Sequence, residues 1–141
     1  RDWSSDVCSS DLDSDVNIWQ IKFINPSGTA GSITTSGSST AYNTSSDHRL
    51  KENVMPMQNA LVMIQQLNPV TYSWKSNGTQ GQGFIAHELQ EVFPDAVSGT
   101  KDATDADGNP VYQGVDASFL VATLVKAVQE LKAEIDILKE K

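Results

Sequence analysis

A serine and a lysine five positions apart, Ser46 and Lys51, hold the parts of a self-cleavage reaction. They sit in the stretch Ser46-Asp47-His48-Arg49-Leu50-Lys51-Glu52-Asn53. A serine hydroxyl becomes a useful nucleophile when a neighbouring base takes its proton. A lysine amine can be that base once burial or a nearby positive charge lowers its pKa, and Arg49 is a candidate for that charge. A turn after Ser46 would bring hydroxyl and amine together. Attack by Ser46 on the carbonyl of Ser45 closes a five-membered ring and moves the acyl group from nitrogen to oxygen; hydrolysis of the ester then breaks the chain. Attack by Ser46 on its own carbonyl needs a strained four-membered ring. Ring geometry therefore favours the Ser45–Ser46 bond, with Ser46–Asp47 left open. Spacing alone is weak, since Ser and Lys five apart occur by chance in most proteins, and on that ground an exposed polar loop is the better reading.

Other chemistry is thinner. His48 and His87 with Glu88 suggest a metal, but no third ligand stands at a recognisable spacing. They read more simply as satisfied polar residues, and neither metal nor cofactor is expected. Asp102, Asp105, Asp107 and Gly108 sketch a calcium loop without its ligand spacing or closing glutamate, so a solvated hairpin tip is the simpler reading. Trp19 and Trp74 read as core or interface aromatics.

The elements that must position the pair come next. With 141 residues the chain holds one modest domain plus attachments. Its 38% hydrophobic and 20% charged content exclude a disordered tail, and no apolar run is long enough to span a bilayer. A net charge of −8 argues against nucleic acid as the main partner. Residues 1–12 back-translate into a string resembling a sequencing-adapter oligonucleotide read in frame, and are expected to be a cloning or assembly scar. Without the one Arg and three Asp of that stretch the charge becomes −6, and the only cysteine, Cys8, drops out of the argument. The rest then reads as the C-terminal piece of something longer.

Asn17 to Ile24 alternates apolar and polar residues as a half-buried strand does. Asn25-Pro26-Ser27-Gly28 is a turn, and Gly31 to Thr35 a second short strand. This region is too short and too rich in Ser, Thr and Gly to bury a core alone. It suits the end of an elongated β-structure whose neighbours or identical chains supply the missing packing. Met57, Ala60, Leu61, Ile64 and Leu67 predict an amphipathic helix with Pro56 in its first turn, ended by Asn68-Pro69. Val70 to Lys75 predicts a strand, Ser76 to Gly81 a turn, Gly83 to Ala86 a strand and His87 to Val92 a short helix. Ala96-Val97 and Val111 to Gln113 predict a hairpin around the acidic loop Thr100 to Pro110. From Asp116, a candidate N-cap, a long helix follows. Its heptad has Val121, Val128 and Ile135 at a and Leu124, Leu131 and Leu138 at d.

The stretch Ser46 to Asn53 resembles the Ser-Asp-x-Arg-x-Lys-x-Asn signature of the endosialidase-type intramolecular chaperone domain, which closes phage tailspikes and tail fibres. Leu67 to Trp74 is similar to that family's helix-to-strand step, and Gly83 to Pro94 to its Gly-x-Ile-Ala-Gln-Glu-Val segment. Val115-Asp116 and Leu124 to Leu131 are similar to its final helix. His87 departs from the common glutamine. The resemblance implies an intramolecular chaperone that trimerises, templates the upstream fibre of the same chain and then releases itself, with Ser46 as nucleophile and Lys51 as base. Arg49, Asn53, His87 and Glu88 are candidate supporting residues, and Ser45, Ser46 and Asp47 flank the cut. The heptad's nominal dimer preference conflicts with the family's trimer, but three heptads are a weak determinant beside a packed domain, so a homotrimer is expected.

The expected fold is α+β: a short β-rich fibre end, a small mixed domain with a β-hairpin region, and a long C-terminal helix in a trimeric coiled coil. The expected divisions are a scar at 1–12, a fibre end at 13–45, a chaperone and autoprotease core at 46–115 and a coiled-coil helix at 116–141. The resemblance places the chain in a virion tail fibre, with the cleaved domain left in the host cytoplasm, and calls for no nucleic acid or membrane partner. A non-cleaving trimerisation cap and a receptor-binding fibre tip using the acidic loop are the alternatives.

Overall fold

The computed structural model describes residues 18–140, so the stretch expected to be a scar lies outside the described residues. The chain forms two compact units that part after Val54.

The first unit is a three-stranded antiparallel meander of β1 (Ile18–Asn25), β2 (Gly28–Ser36) and β3 (Ser39–Thr44), in that order. The β1–β2 turn falls where its composition placed it. Asn25 Oδ1 accepts the Ser27 N–H at 2.9 Å, and Gly28 takes a φ of 110° that only glycine adopts freely. Strand β3 was not anticipated, because Ser39-Thr40-Ala41-Tyr42-Asn43-Thr44 lacks the apolar alternation that marked β1.

Residues paired across a sheet share a face. Ile21 pairs with Ile33 and Ile33 with Tyr42, so one apolar row crosses all three strands. Ile21, Phe23 and Tyr42 are nevertheless exposed, while Ser32 and Thr34 on the opposite face are buried. Asn43 Nδ2 donates to Thr34 Oγ1 at 3.0 Å on that face. Trp19 is 64% exposed, with Lys22 Nζ over its ring at 3.9 Å, so it is not a core residue among the described residues of this unit.

The second unit is mixed α and β. It contains helix α1 (Ala60–Gln65), a hairpin of β4 (Val70–Ser73) and β5 (Gln80–Gly83), helix α2 (Ala86–Val92), a small ladder of β6 (Val97–Ser98) and β7 (Gly114–Val115), and the long helix α3 (Val121–Lys139). Its core is Leu89, Phe93, Ala96, Val97 and Leu120, with Met63, Ile64, Leu67, Phe84 and Val92 packed around them. Gly81 has a steric reason: a Cβ there would lie 2.7 Å from the Tyr72 ring, which makes an edge-to-face contact with Trp74 at 5.2 Å. Trp74 itself is half exposed, not core.

Three sequence expectations shift. Helix α1 starts at Ala60 rather than Met57, because Asn59 adopts left-handed angles (φ 58°) and interrupts the helical run after Pro56. Its Leu61 N–H is accepted instead by Glu130 Oε2 of α3 at 2.8 Å. Strand β5 begins inside the expected turn, and Ile85 is the extended residue that caps α2. The last ladder pairs Val97 with Val115, not with Val111 to Gln113. The Val111 N–H donates to Ala103 O at 2.8 Å, so it belongs to the acidic loop and the ladder can form only beyond it.

Helix α3 follows the expected N-terminal signal, with Asp116 Oδ1 accepting the Ser118 N–H at 2.9 Å in a 3-10 turn (Ala117–Leu120) that leads into it. It packs on α1. The buried stripe is Leu120, Thr123 and Ala127, with Glu130 continuing it. Small residues there let Ala60 sit fully buried. The heptad row Val121, Leu124, Val128, Leu131, Ile135 and Leu138 is a different stripe, exposed along its whole length. The helix thus packs on its own unit without using its most regular apolar face.

Candidate active site

Asp47 organises the junction. It is the N-cap of a one-turn 3-10 helix (His48–Leu50), with Oδ1 accepting the Arg49 N–H at 2.8 Å. Arg49 folds back so that Nε donates to Oδ1 at 2.9 Å and Nη2 to Oδ2 at 2.8 Å, a two-point ion pair. The Leu50 and Lys51 amides donate to the carbonyls of Asp47 and His48, both at 3.1 Å. One tight turn therefore reverses the chain between Ser46 and Lys51.

The result is a direct contact: Lys51 Nζ donates to Ser46 Oγ at 2.7 Å. At this distance the roles reverse when the amine is neutral, and the hydroxyl then donates to nitrogen, which is the geometry of proton abstraction. Both residues are exposed in the single chain.

The electrostatics differ in one respect from expectation. Arg49 was to supply a positive charge for Lys51, but its guanidinium is matched to the Asp47 carboxylate. The Arg49 side chain, and then its backbone N–H, hold the Asp47 carboxyl below the usual carboxylate range, and Asp47 in turn raises Arg49. His48 lies 3.5 Å from the same carboxylate, with its side chain 92% exposed. Asn53 closes the stretch in a left-handed conformation, φ 51°.

Upstream, Ser45 is tied to the sheet. Its N–H donates to Ala30 O at 3.2 Å and its Oγ to Thr29 O at 3.0 Å. These partners were not legible in the sequence, because the pairing of β3 with β2 was not.

The remaining candidates lie in the second unit. Glu88 Oε2 accepts from Asn68 Nδ2 at 3.0 Å. His87 lines a largely apolar groove of about 760 Å³ with Tyr72, Trp74, Phe84 and Tyr112. In the acidic loop, Asp105 Oδ1 accepts the Asp107 and Asn109 amides at 2.9 and 2.8 Å, so this carboxylate serves its own turn. No group of three or more His, Cys, Asp or Glu side chains suited to a metal occurs among the described residues. No helix among them is long and apolar enough to cross a membrane.

Comparison with known proteins picks out the same stretch. The family described as chaperone of endosialidase, which carries a peptidase name, matches residues 46–98 and begins at Ser46. The chain is 37% identical over 102 residues to the long tail fiber protein Gp37 of Enterobacteria phage K3, which covers 68% of this chain and 8% of that protein. It is also 37% identical over 102 residues to the Gp37 long tail fiber protein of Enterobacteria phage T2, covering 68% of this chain and 7% of the relative. The chain therefore spans under a tenth of the length of these relatives.

Proposed function

We propose, from the premise that residues 46–98 are a chaperone of endosialidase domain, that this chain directs the assembly of a phage tail fibre and then detaches from it by cutting its own backbone at Ser46. The observation that carries this reading is the 2.7 Å contact between Lys51 Nζ and Ser46 Oγ.

The chemistry runs in two steps. The neutral Lys51 amine takes the proton of Ser46 Oγ as the oxygen adds to the Ser45 carbonyl carbon. The resulting ammonium then returns that proton to the departing Ser46 nitrogen as the C–N bond breaks. This leaves Ser45 esterified to Ser46 Oγ and a free α-amine on Ser46. Water hydrolyses the ester, giving a carboxylate at Ser45 and restoring the hydroxyl. The reaction consumes one water, and each molecule cuts once.

Assembly precedes cutting. Three copies associate through the exposed heptad row of α3, which raises the effective concentration of the upstream segments and holds them for non-local strand pairing. The Ile21–Ile33–Tyr42 row, whose outer members Ile21 and Tyr42 are exposed, suits a sheet that neighbouring copies complete. Removal of the folding nucleus leaves a fibre whose stability is kinetic. The product fibre belongs to the virion tail and the freed domain remains in the host cytoplasm.

The solvent exposure of Ser46 and Lys51 in a single chain favours a second reading, a trimeric cap that keeps the motif without cutting. Intact mass after expression separates the two. Self-cleavage gives a fragment beginning at Ser46, while Ser46→Ala and Lys51→Ala stay whole. A folded wild-type trimer that remains whole leaves only the cap.

A further inference from the structure

We infer that Ser45 is a positioning residue through which the cleavage junction senses closure of the β2–β3 hairpin, an inference that rests on the self-cleavage reading. The last regular pair of that hairpin is Gly31 with Thr44. Ser45 carries the pairing one residue further, its amide donating to Ala30 O at 3.2 Å and its hydroxyl to Thr29 O at 3.0 Å. The residue whose carbonyl is attacked is therefore held to β2 by main chain and side chain together. Immediately after it, Ser46 is fixed by its contact with Lys51 and by the turn that Asp47 caps. The Ser45–Ser46 peptide joins two hydrogen-bonded pieces, one belonging to the sheet and one carrying the nucleophile.

Attack on a carbonyl demands that the oxygen approach along a narrow range of directions. The turn alone fixes the hydroxyl, not the plane of the preceding peptide. That plane is set by Ser45, and Ser45 is set only when β3 lies against β2. An unpaired β3 would leave the nucleophile armed but the carbonyl free to rotate. Cutting is then conditional on local sheet formation through one residue, in addition to any requirement for assembly.

A glycine offers an independent lever on the same hairpin. A Cβ on Gly31 would lie 2.7 Å from the Asn43 carbonyl oxygen, a separation that forces the strands apart. Gly31 adjoins Ala30, the acceptor of the Ser45 amide, and takes no part in the Ser46–Lys51 contact.

The test is a time course of intact mass on the full chain for wild type, Ser45→Ala, Ser45→Thr and Gly31→Ala, with and without hydroxylamine, which cleaves esters. Loss of one hydrogen bond from the positioned state is expected to slow Ser45→Ala on the order of threefold to tenfold. Ser45→Thr, which keeps the hydroxyl, recovers most of the rate, and Gly31→Ala is slowed although both catalytic groups are intact. Hydroxylamine does not rescue Ser45→Ala, because the slowed step precedes the ester. Equal rates for wild type and Ser45→Ala, or full rescue by hydroxylamine, overturn the inference and leave the self-cleavage reading standing. A wild type that never cuts overturns both. Should Gly31→Ala fail to fold, Ser45→Ala, which removes one exposed hydroxyl, decides the matter.

Discussion

Arginine at position 51 would keep the charge and lose the chemistry. A guanidinium is never deprotonated near neutral pH, so Lys51→Arg is expected to fold and remain whole by intact mass, as is expected of Lys51→Ala. The supporting turn has its own pH dependence, and the sign follows from Asp47. Its folded-state pKa is depressed, chiefly by the Arg49 side chain. The stabilisation is therefore fully present above the ordinary carboxylate range of about 4. It is lost as the pH falls through the lower folded value. Amide exchange at Arg49 to Lys51 should show protection at neutral pH that disappears below the ordinary carboxylate range, and Asp47→Ala should remove it at every pH. The Ser46–Lys51 pair was singled out by the resemblance of Ser46 to Asn53 to a family signature, because residue types and spacing alone also describe an ordinary polar loop. The role of Arg49 was not legible, because a guanidinium on a tight turn can reach several partners, and only the cap geometry selects Asp47 over Lys51.

Among the elements, α3 was the most legible and α1 the least. A heptad written in Val, Leu and Ile leaves little choice of secondary structure. What it did not disclose is that the helix packs on its own unit through another stripe, Leu120, Thr123, Ala127 and Glu130, whose mixture of small and polar residues gives no periodic apolar signal. The start of α1 was hidden for a related reason. Its first-turn Leu61 amide, half-buried, is satisfied by a glutamate 69 positions away, so no local capping residue marks the boundary. That contact makes Glu130→Ala costly, by about 1.5 kcal/mol for a hydrogen bond to a charged acceptor. Glu130→Gln, which still offers an oxygen, should recover part of it; urea unfolding of the two variants measures both. Leu89→Ala leaves a cavity in the core cluster and should cost about 2–5 kcal/mol in the same experiment. The missed strand β3 shows the opposite limit. Its Ser, Thr and Asn residues pair well with β2 but carry no hydrophobic pattern, so only the partner strand reveals it.

At the scale of the whole molecule, α3 permits folding and association to be separated. Val128 is 65% exposed and lies on the heptad row, whereas Ala127 beside it is buried, on a helix that packs on α1. Val128→Asp is expected to abolish the proposed trimer in sedimentation velocity while leaving the helical circular dichroism of the unit close to wild type. Ala127→Leu is expected to unfold the helix pair by overpacking, about 1–3 kcal/mol. An unassembled Val128→Asp chain that still cuts at the wild-type rate would show that local sheet closure suffices and that association is not required. The end of the sheet carries a last consequence. Because Ser45 is bonded to Thr29 and Ala30, a chain severed behind it has no frayed tail: the new terminus is already stitched into its neighbour. Carboxypeptidases, which feed on loose ends, would find little to grip at that new terminus, whereas the released piece would begin with nothing but the short exposed turn from Ser46 to Lys51.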